Sequence, residues 1–302
     1  MSKEQEYTKG FVTSKDGTNV GYRQMGSGPG LILLHGGISS SQYLMKLGAA
    51  LSDEFTLYIP DRRGRGLSGP FGNNYGLMRE VEDLDAILKK TDAHYLFGAS
   101  SGGLISLEAS ITLSAIHKIA LYEPVVYVNK SEMDRFNDIV QSFDKELAEG
   151  DLTTAMVTSL NVYTKLDPEE KSSFIYHLPS LIWKPIFRLI LEVDERNVKG
   201  DDVTLKDLMP TLKFDVQLVN ETEGKLDNFK EVKAEVLLLN GGKSPIFLKN
   251  SIEALKKVLP HVKHLELQGL DHDSAQNYGK PEIIAEEIRR FYKLKKSADL
   301  LV

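Results

Sequence analysis

The sequence predicts an α/β protein whose sheet is mostly parallel, with helices on both faces. Short apolar runs alternate with longer amphipathic runs from residue 10 to 122, and this alternation returns after residue 233. The segment between these two stretches carries helical patterns only. Continuous apolar runs are typical of strands covered on both faces, and strands that alternate with helices give parallel sheets with right-handed crossovers.

Strands are predicted over the short apolar runs, at 10–14, 20–25, 31–35, 55–60, 94–99, 118–122, 234–239 and 262–267. The turn Asp16-Gly17 separates the first two. Helices are predicted over the amphipathic runs, at 41–51, 75–90, 101–114, 247–258 and 281–294. Pro281 suits the first turn of the last of these helices.

The helical segment 128–212 is too long for a plain crossover between two strands. Its patterns predict helices at 131–148, 152–164, 172–177 and 181–193. We interpret it as a cap domain over the edge of the sheet, so that residues 1–127 and 213–302 form the core domain.

Composition excludes several classes of function. The net charge is −6 and no basic stripe compensates it, which disfavours nucleic acid as a partner. The absence of cysteine excludes disulfides, thiolate metal sites and a cysteine nucleophile. The first residues are polar and no apolar run reaches about 18 residues, so we expect a cytoplasmic protein with no membrane contact. A glycine-rich turn at 26–30 leads into a strand, not a helix, so no dinucleotide is expected there, and with no P-loop or zinc signature in the sequence no other cofactor or metal is expected.

Residues 98–102, Gly-Ala-Ser-Ser-Gly, fit the G-x-S-x-G pattern and lie between a predicted strand and a predicted helix. This pattern places a serine on a sharp turn, and glycines on both sides remove side chains that would clash there. Ser100 is therefore the candidate nucleophile. Residues 35–37, His-Gly-Gly, follow a buried strand, and the N–H groups of Gly37 and Ser101 are candidate donors to an oxyanion. We expect His35 to orient this loop by a side-chain hydrogen bond.

In these motifs the chain resembles the α/β-hydrolase fold family. The matching segments are 35–37, the turn at 61–68, the Ser100 pentapeptide and a late Gly-Leu-Asp-His at 269–272, which occur in the family's order. The resemblance implies an eight-stranded sheet with a helical cap inserted after the sixth strand. It also implies that residues 61–68 form a structural turn.

His272 is the candidate general base. Of the seven histidines, it alone lies in a loop after the last predicted strand, where its ring can reach a serine on another strand end. The chain order serine, acid, histidine is the order expected for this fold. His261 and His264 do not predict a metal site, because residues three apart on a strand point to opposite faces.

The acid departs from the family's usual pattern. The resemblance places an aspartate after the seventh strand, but Ser244 stands there. Some family members, including certain dehalogenases, carry the acid after the sixth strand, where this chain has Glu123. Glu123 is therefore the preferred candidate. The alternatives that remain open are Asp271, Asp273, Asp215 and Asp227.

The sequence thus predicts a serine hydrolase that cleaves a carboxylic ester of a small molecule through an acyl-enzyme. Tyr122-Glu123-Pro124 with Lys243-Ser244-Pro245 resembles a bacterial esterase-like subgroup whose relatives include proposed macrolide esterases. A macrolide lactone is therefore one substrate hypothesis. The alternatives are a lyase or perhydrolase on this fold, or a non-catalytic binding protein; the chain is expected to be a monomer or homodimer. The candidates for substrate-facing residues, with packing inside the cap as their other interpretation, are Trp183, Phe187 and Tyr176.

Overall fold

A computed structural model of the protein describes residues 6–166 and 178–293. Its eight strands form one sheet: β1 (Thr8–Thr13), β2 (Asn19–Gly26), β3 (Gly30–Leu34), β4 (Thr56–Pro60), β5 (Tyr95–Ala99), β6 (Lys118–Tyr122), β7 (Glu235–Gly241) and β8 (Val262–Leu267). Their order is β1-β2-β4-β3-β5-β6-β7-β8. The pairs β1–β2 and β2–β4 are antiparallel and the rest are parallel, so the predicted fold class is confirmed.

The helices of the described residues are α1 (Met45–Leu51), α2 (Leu77–Thr91), α3 (Ser101–Thr112), α4 (Lys130–Ala148), α5 (Leu152–Ser159), α6 (Asn161–Lys165), α7 (Ser180–Asn197), α8 (Leu205–Leu208), α9 (Leu212–Asn220), α10 (Ile246–Val258) and α11 (Pro281–Tyr292). The helix predicted at 41–51 starts instead with a 3-10 turn, Ser41–Leu44. The helix predicted at 172–177 lies outside the described residues.

Two apolar layers cover the two faces of the sheet. Along β3, Leu31 and Leu33 belong to one buried cluster, and Ile32 and Leu34 belong to the other. Successive side chains of a strand point to opposite faces, so a strand covered on both faces needs an apolar residue at every position. This is why the run at 31–34 lacks the alternation of a half-exposed strand.

Between β6 and β7 the described chain is helical. A small separate cluster joins its helices, formed by Phe143, Ala155, Leu191 and Met209. The last of these helices, α9, was not predicted, and it packs against both α3 and α4. The division into a core domain and a cap domain at 128–212 stays a prediction.

The parallel strands β3, β5, β6, β7 and β8 all end at the same edge of the sheet. Parallel α/β sheets form their sites at this carboxyl edge, because the loops that leave the strands converge there. Among the described helices, none combines the length and apolar character that crossing a bilayer requires.

Candidate active site

Ser100 occupies the sharp turn between β5 and α3. Its backbone has φ 53° and ψ −122°, a positive φ that a residue with a side chain rarely adopts. The turn is held in place because the Ser100 N–H donates to the Tyr122 carbonyl at 3.0 Å and the Ser100 carbonyl accepts from Gly103 at 2.9 Å. Strained backbone of this kind persists where the surroundings fix it, often at functional sites.

The glycines beside Ser100 leave no space for a side chain. A Cβ atom on Gly98 would lie 2.5 Å from the Gly102 carbonyl oxygen, and one on Gly102 would lie 2.5 Å from the His35 carbonyl oxygen. A Cβ atom on Gly36 would lie 2.8 Å from the Cβ of Ser100 itself. The two glycines of the pentapeptide are thus required by close backbone approach, as the motif predicts.

Glu123 follows β6 and is completely buried. Its backbone also has a positive φ of 49°, and its N–H donates to the Leu239 carbonyl at 2.9 Å. Both oxygens of its carboxylate are used. Oε1 accepts the Gly241 N–H at 2.7 Å, and Oε2 lies 2.6 Å from Nδ1 of His272.

His272 begins a 3-10 turn, His272–Ala275, after β8. Burial of the ring lowers its pKa, but the hydrogen bond and charge of Glu123, helped by Asp273 and Asp271, raise it by more, so the net shift is upward. The carboxylates next to the ring have other partners, since Asp271 accepts from the Ser274 hydroxyl and Asp273 accepts from the Gln276 amide. Of the candidate acids, Glu123 is the one hydrogen-bonded to this ring in the described chain.

Ser100 and His272 line one cavity of about 350 Å³. In the described part of the chain no hydrogen bond joins the Ser100 hydroxyl to the ring. Hydrogen bonds between a nucleophile and its base are often long in structures without substrate, so the absence of this bond is compatible with both proposed roles.

Helix α4 supplies much of the apolar wall of this cavity. Phe136, Ile139, Val140 and Phe143 face it, at the spacing of one helical face. Phe247 and Leu248 of α10 add to the wall. These wall residues were not among the predicted site residues, although the apolar periodicity of α4 carries the signal.

The sequence profile of the α/β-hydrolase fold matches residues 29–275. The chain belongs to the α/β-hydrolase fold family. This match covers both the Ser100 turn and His272.

Individual relatives agree with this assignment. The chain is 31% identical over 115 residues to the uncharacterized hydrolase YraK of Bacillus subtilis (strain 168), a match over 36% of this chain and 42% of that protein. The matched segment therefore spans less than half of that curated relative. An α/β hydrolase from Sphaerobacter thermophilus DSM 20745 superposes with a TM-score of 0.68 at 25% identity, over 94% of this chain and 100% of that one. The esterase RhEst1 from Rhodococcus sp. ECU1013 has a TM-score of 0.65 at 20% identity, over 94% of this chain and 98% of that one, which shows the shared fold.

The candidate oxyanion donors of this α/β-hydrolase flank Ser100. Gly37 lies in the loop after β3 and lines the cavity. Ser101 is the first residue of α3, where backbone N–H groups have no partner within the helix. The helix dipole also favours negative charge at this end.

His35 orients the glycine loop, as predicted. It is fully buried, its Nε2 accepts the Arg62 N–H at 3.1 Å, and its Nδ1 lies 2.9 Å from the Gly36 carbonyl. Burial, followed by the charges of Arg65 and Arg62, holds the pKa of the ring well below its usual value. The neutral ring therefore carries its proton on Nδ1 and donates it to the loop.

The predicted turn at 61–68 is structural and is confirmed. The two oxygens of Asp61 accept the N–H groups of Ser41 and Leu67, at 2.7 and 2.8 Å. Ser244, at the usual position of the acid, is buried, and its hydroxyl has no hydrogen-bond partner among the described residues.

Two of the three candidate substrate-facing residues lie away from this cavity. Trp183 and Phe187 stack on each other with ring centroids 5.6 Å apart, and neither lines the cavity of Ser100. Their helix, α7, packs against α5, whereas α4 forms the cavity wall. Tyr176 lies outside the described residues.

Proposed function

We propose that this α/β-hydrolase is a serine hydrolase of carboxylic esters, with Ser100 as nucleophile, His272 as base and Glu123 as acid. The observation that carries the proposal is the 2.6 Å contact between Glu123 and the His272 ring at a cavity that Ser100 also lines. A buried carboxylate on Nδ1 leaves Nε2 as the basic nitrogen and stabilises the imidazolium that forms during reaction.

The reaction proceeds in two halves. Ser100 Oγ attacks the ester carbonyl carbon while its proton passes to Nε2 of His272, and the N–H groups of Gly37 and Ser101 bind the oxyanion. The bond to the alcohol then breaks, and the alcohol oxygen takes the proton from Nε2. Water next attacks the acyl group on Ser100 and gives a proton to Nε2, which returns it to Ser100 as the carboxylic acid departs.

The lining of the cavity supports a neutral, largely apolar substrate. Apart from His272 and Asp273, the described side chains of this lining carry no charge. A volume of about 350 Å³ is near the low end of ligand pockets, which favours a small ester. The sequence resemblance adds a macrolide lactone as a separate and larger substrate hypothesis, whose expected product is the macrolide with a gain of one water in mass. The cytoplasmic location and the monomeric or dimeric state stay predictions.

The test uses p-nitrophenyl esters of increasing acyl length, together with a fluorophosphonate label. We expect turnover and labelling of the wild-type protein, and loss of both in Ser100→Ala. Ser114→Ala, which removes an exposed hydroxyl in the turn that follows α3, is the matched control and should keep full activity. A wild-type protein that neither reacts with the label nor releases nitrophenol would overturn the proposal in favour of a binding role. Formation of peracid in place of carboxylic acid when hydrogen peroxide is added would favour the perhydrolase, and cleavage without a carboxylic acid product would favour the lyase.

A further inference from the structure

A buried ionic network lies behind the loops of the candidate active site. At its centre is Asp215 of α9, whose side chain is almost fully buried. Its Oδ1 accepts from Arg62 at 2.7 Å, and its Oδ2 accepts from Arg65 at 2.7 Å. Both arginines belong to the turn after β4, and neither lines the cavity, so they have no direct contact with a substrate bound there.

Asp215 also contacts both residues whose N–H groups are the proposed oxyanion donors. The Ser101 hydroxyl donates to Oδ1 of Asp215 at 2.7 Å and accepts from Nη1 of Arg62 at 3.0 Å. A Cβ atom on Gly37 would lie 3.3 Å from the Asp215 carboxyl group, so the loop after β3 rests against this side chain. One carboxylate therefore touches the two sides of the proposed oxyanion hole.

The charges of the network balance. Glu80 accepts from Arg62 at 2.9 Å and from the Tyr75 hydroxyl at 2.7 Å, so two buried arginines face two buried carboxylates. Burial raises the pKa of Asp215, but the charges of Arg65 and Arg62 lower it by more, which keeps the group ionised. A buried charge with one partner removed is strongly unfavourable, so these side chains hold one another in a fixed arrangement.

We propose that Asp215 is the positioning residue of the oxyanion hole: it fixes the backbone at Ser101 and Gly37 from behind, without touching the substrate. This inference rests on the proposed function. It also links the site to α9, the helix through which the insertion returns to the sheet. Preorganised donors act only when they point at the developing charge, so a small displacement of these two N–H groups lowers the rate of the chemical step.

Two variants test the proposal. Asp215→Asn removes the charge but keeps the shape, and we expect kcat to fall about 10- to 100-fold with KM within about threefold. Ser101→Ala keeps the backbone N–H and the ion pairs of Asp215 with Arg62 and Arg65. It removes only the hydrogen bonds of the Ser101 hydroxyl. Its kcat should fall about three- to tenfold. In both variants the affinity for a boronic acid, which forms a tetrahedral adduct on the serine, should fall in parallel with kcat/KM.

Tyr75→Phe is the matched control. It removes the hydrogen bonds of a hydroxyl that donates to Glu80 at 2.7 Å and accepts from Arg62 at 3.4 Å, and that contacts neither donor residue. We expect a lower melting temperature with unchanged kcat. If Asp215→Asn does not fold, Ser101→Ala and its boronic acid affinity decide the question alone.

The outcomes separate the two proposals. Full kcat in Ser101→Ala, or an equal loss of kcat in Tyr75→Phe, overturns the positioning role while ester hydrolysis by the wild-type protein stands. A wild-type protein that neither hydrolyses esters nor labels at Ser100 overturns the proposed function, and the positioning role falls with it.

Discussion

Glu123 Oε2 lies 2.6 Å from His272 Nδ1, although 149 residues separate the two in the chain. The second carboxylate oxygen accepts the N–H of Gly241 at the end of β7, so the carboxylate is held from both sides. Ser244, a few residues further along, carries no charge, and within the described residues its hydroxyl makes no hydrogen bond to the ring. The carboxylate of this site thus comes from the end of β6, and the neighbouring strand orients it.

Replacement of this carboxylate by an amide should disable the proposed base. In Glu123→Gln the amide oxygen can still accept from Gly241, which leaves the NH₂ group facing Nδ1 of His272. Nδ1 must then accept, the ring proton moves to Nε2, and the ring is in the wrong tautomer to take a proton from Ser100. We expect kcat to fall about 10²- to 10⁴-fold on p-nitrophenyl esters.

Asp227→Asn is the control for this variant, because Asp227 is an exposed carboxylate paired with Lys230. It should keep wild-type activity. If Glu123→Gln retains activity within a fewfold of wild type, with an unchanged fold by circular dichroism, Glu123 is not the acid.

The pH profile should follow the ring of His272. Its pKa is raised above the ordinary 6.5, because Glu123 outweighs the effect of burial. The base acts only when neutral, so kcat/KM should fall as the pH decreases through this raised pKa, with a midpoint above 6.5. In Glu123→Gln, burial acts without the opposing charge, and the midpoint should move down. Asp273→Asn, which removes a weaker contribution, should move it less. A midpoint that is the same in all three proteins would contradict this assignment.

Gly36→Ala should slow the chemical step by crowding the nucleophile. The added methyl group would lie 2.8 Å from the Cβ of Ser100 and 3.5 Å from its Oγ. Backbone hydrogen bonds fix the sharp turn at Ser100, so the Ser100 hydroxyl must shift. We therefore expect kcat to fall about 10- to 100-fold. Gly69→Ala is the control, since its methyl group meets its nearest neighbour at an ordinary 3.4 Å. Equal kcat values for the two variants would show that the nucleophile tolerates the crowding.

The wall formed by α4 should set the preference for acyl length. Phe136 lines the cavity and stacks on Phe247, with ring centroids 6.2 Å apart. Phe136→Ala enlarges the apolar space, so kcat/KM for the octanoate ester relative to the acetate ester should rise about 10-fold.

Phe187→Ala provides the comparison, because Phe187 is buried against Trp183 and away from the cavity. It should lower the free energy of unfolding by about 3 kcal/mol and leave the ratio of the two esters unchanged. A change in the ester ratio for Phe187→Ala, and none for Phe136→Ala, would place the substrate wall on α7 instead.

Much of the fold was readable from local patterns. The run at 31–34 is apolar at every position because both faces of β3 are covered, and the pentapeptide at 98–102 has glycines where the turn brings backbone atoms to 2.5 Å. Such features depend on neighbours in the chain, so a single sequence records them. Helix α9 was missed because it is short and its buried face includes the charged Asp215, which interrupts the apolar pattern.

The sequence by itself determined the α/β alternation, the turn that carries Ser100 and the late loop that carries His272. Only the tertiary structure decided which carboxylates lie next to these two segments. The carboxylate on the ring is Glu123, although Asp271 and Asp273 are adjacent in the chain, and the carboxylate behind Ser101 is Asp215 from beyond the helical insertion. The reason is geometric: parallel strands bring their ends together at one edge regardless of their separation in the chain, and no local pattern encodes which of these ends become neighbours.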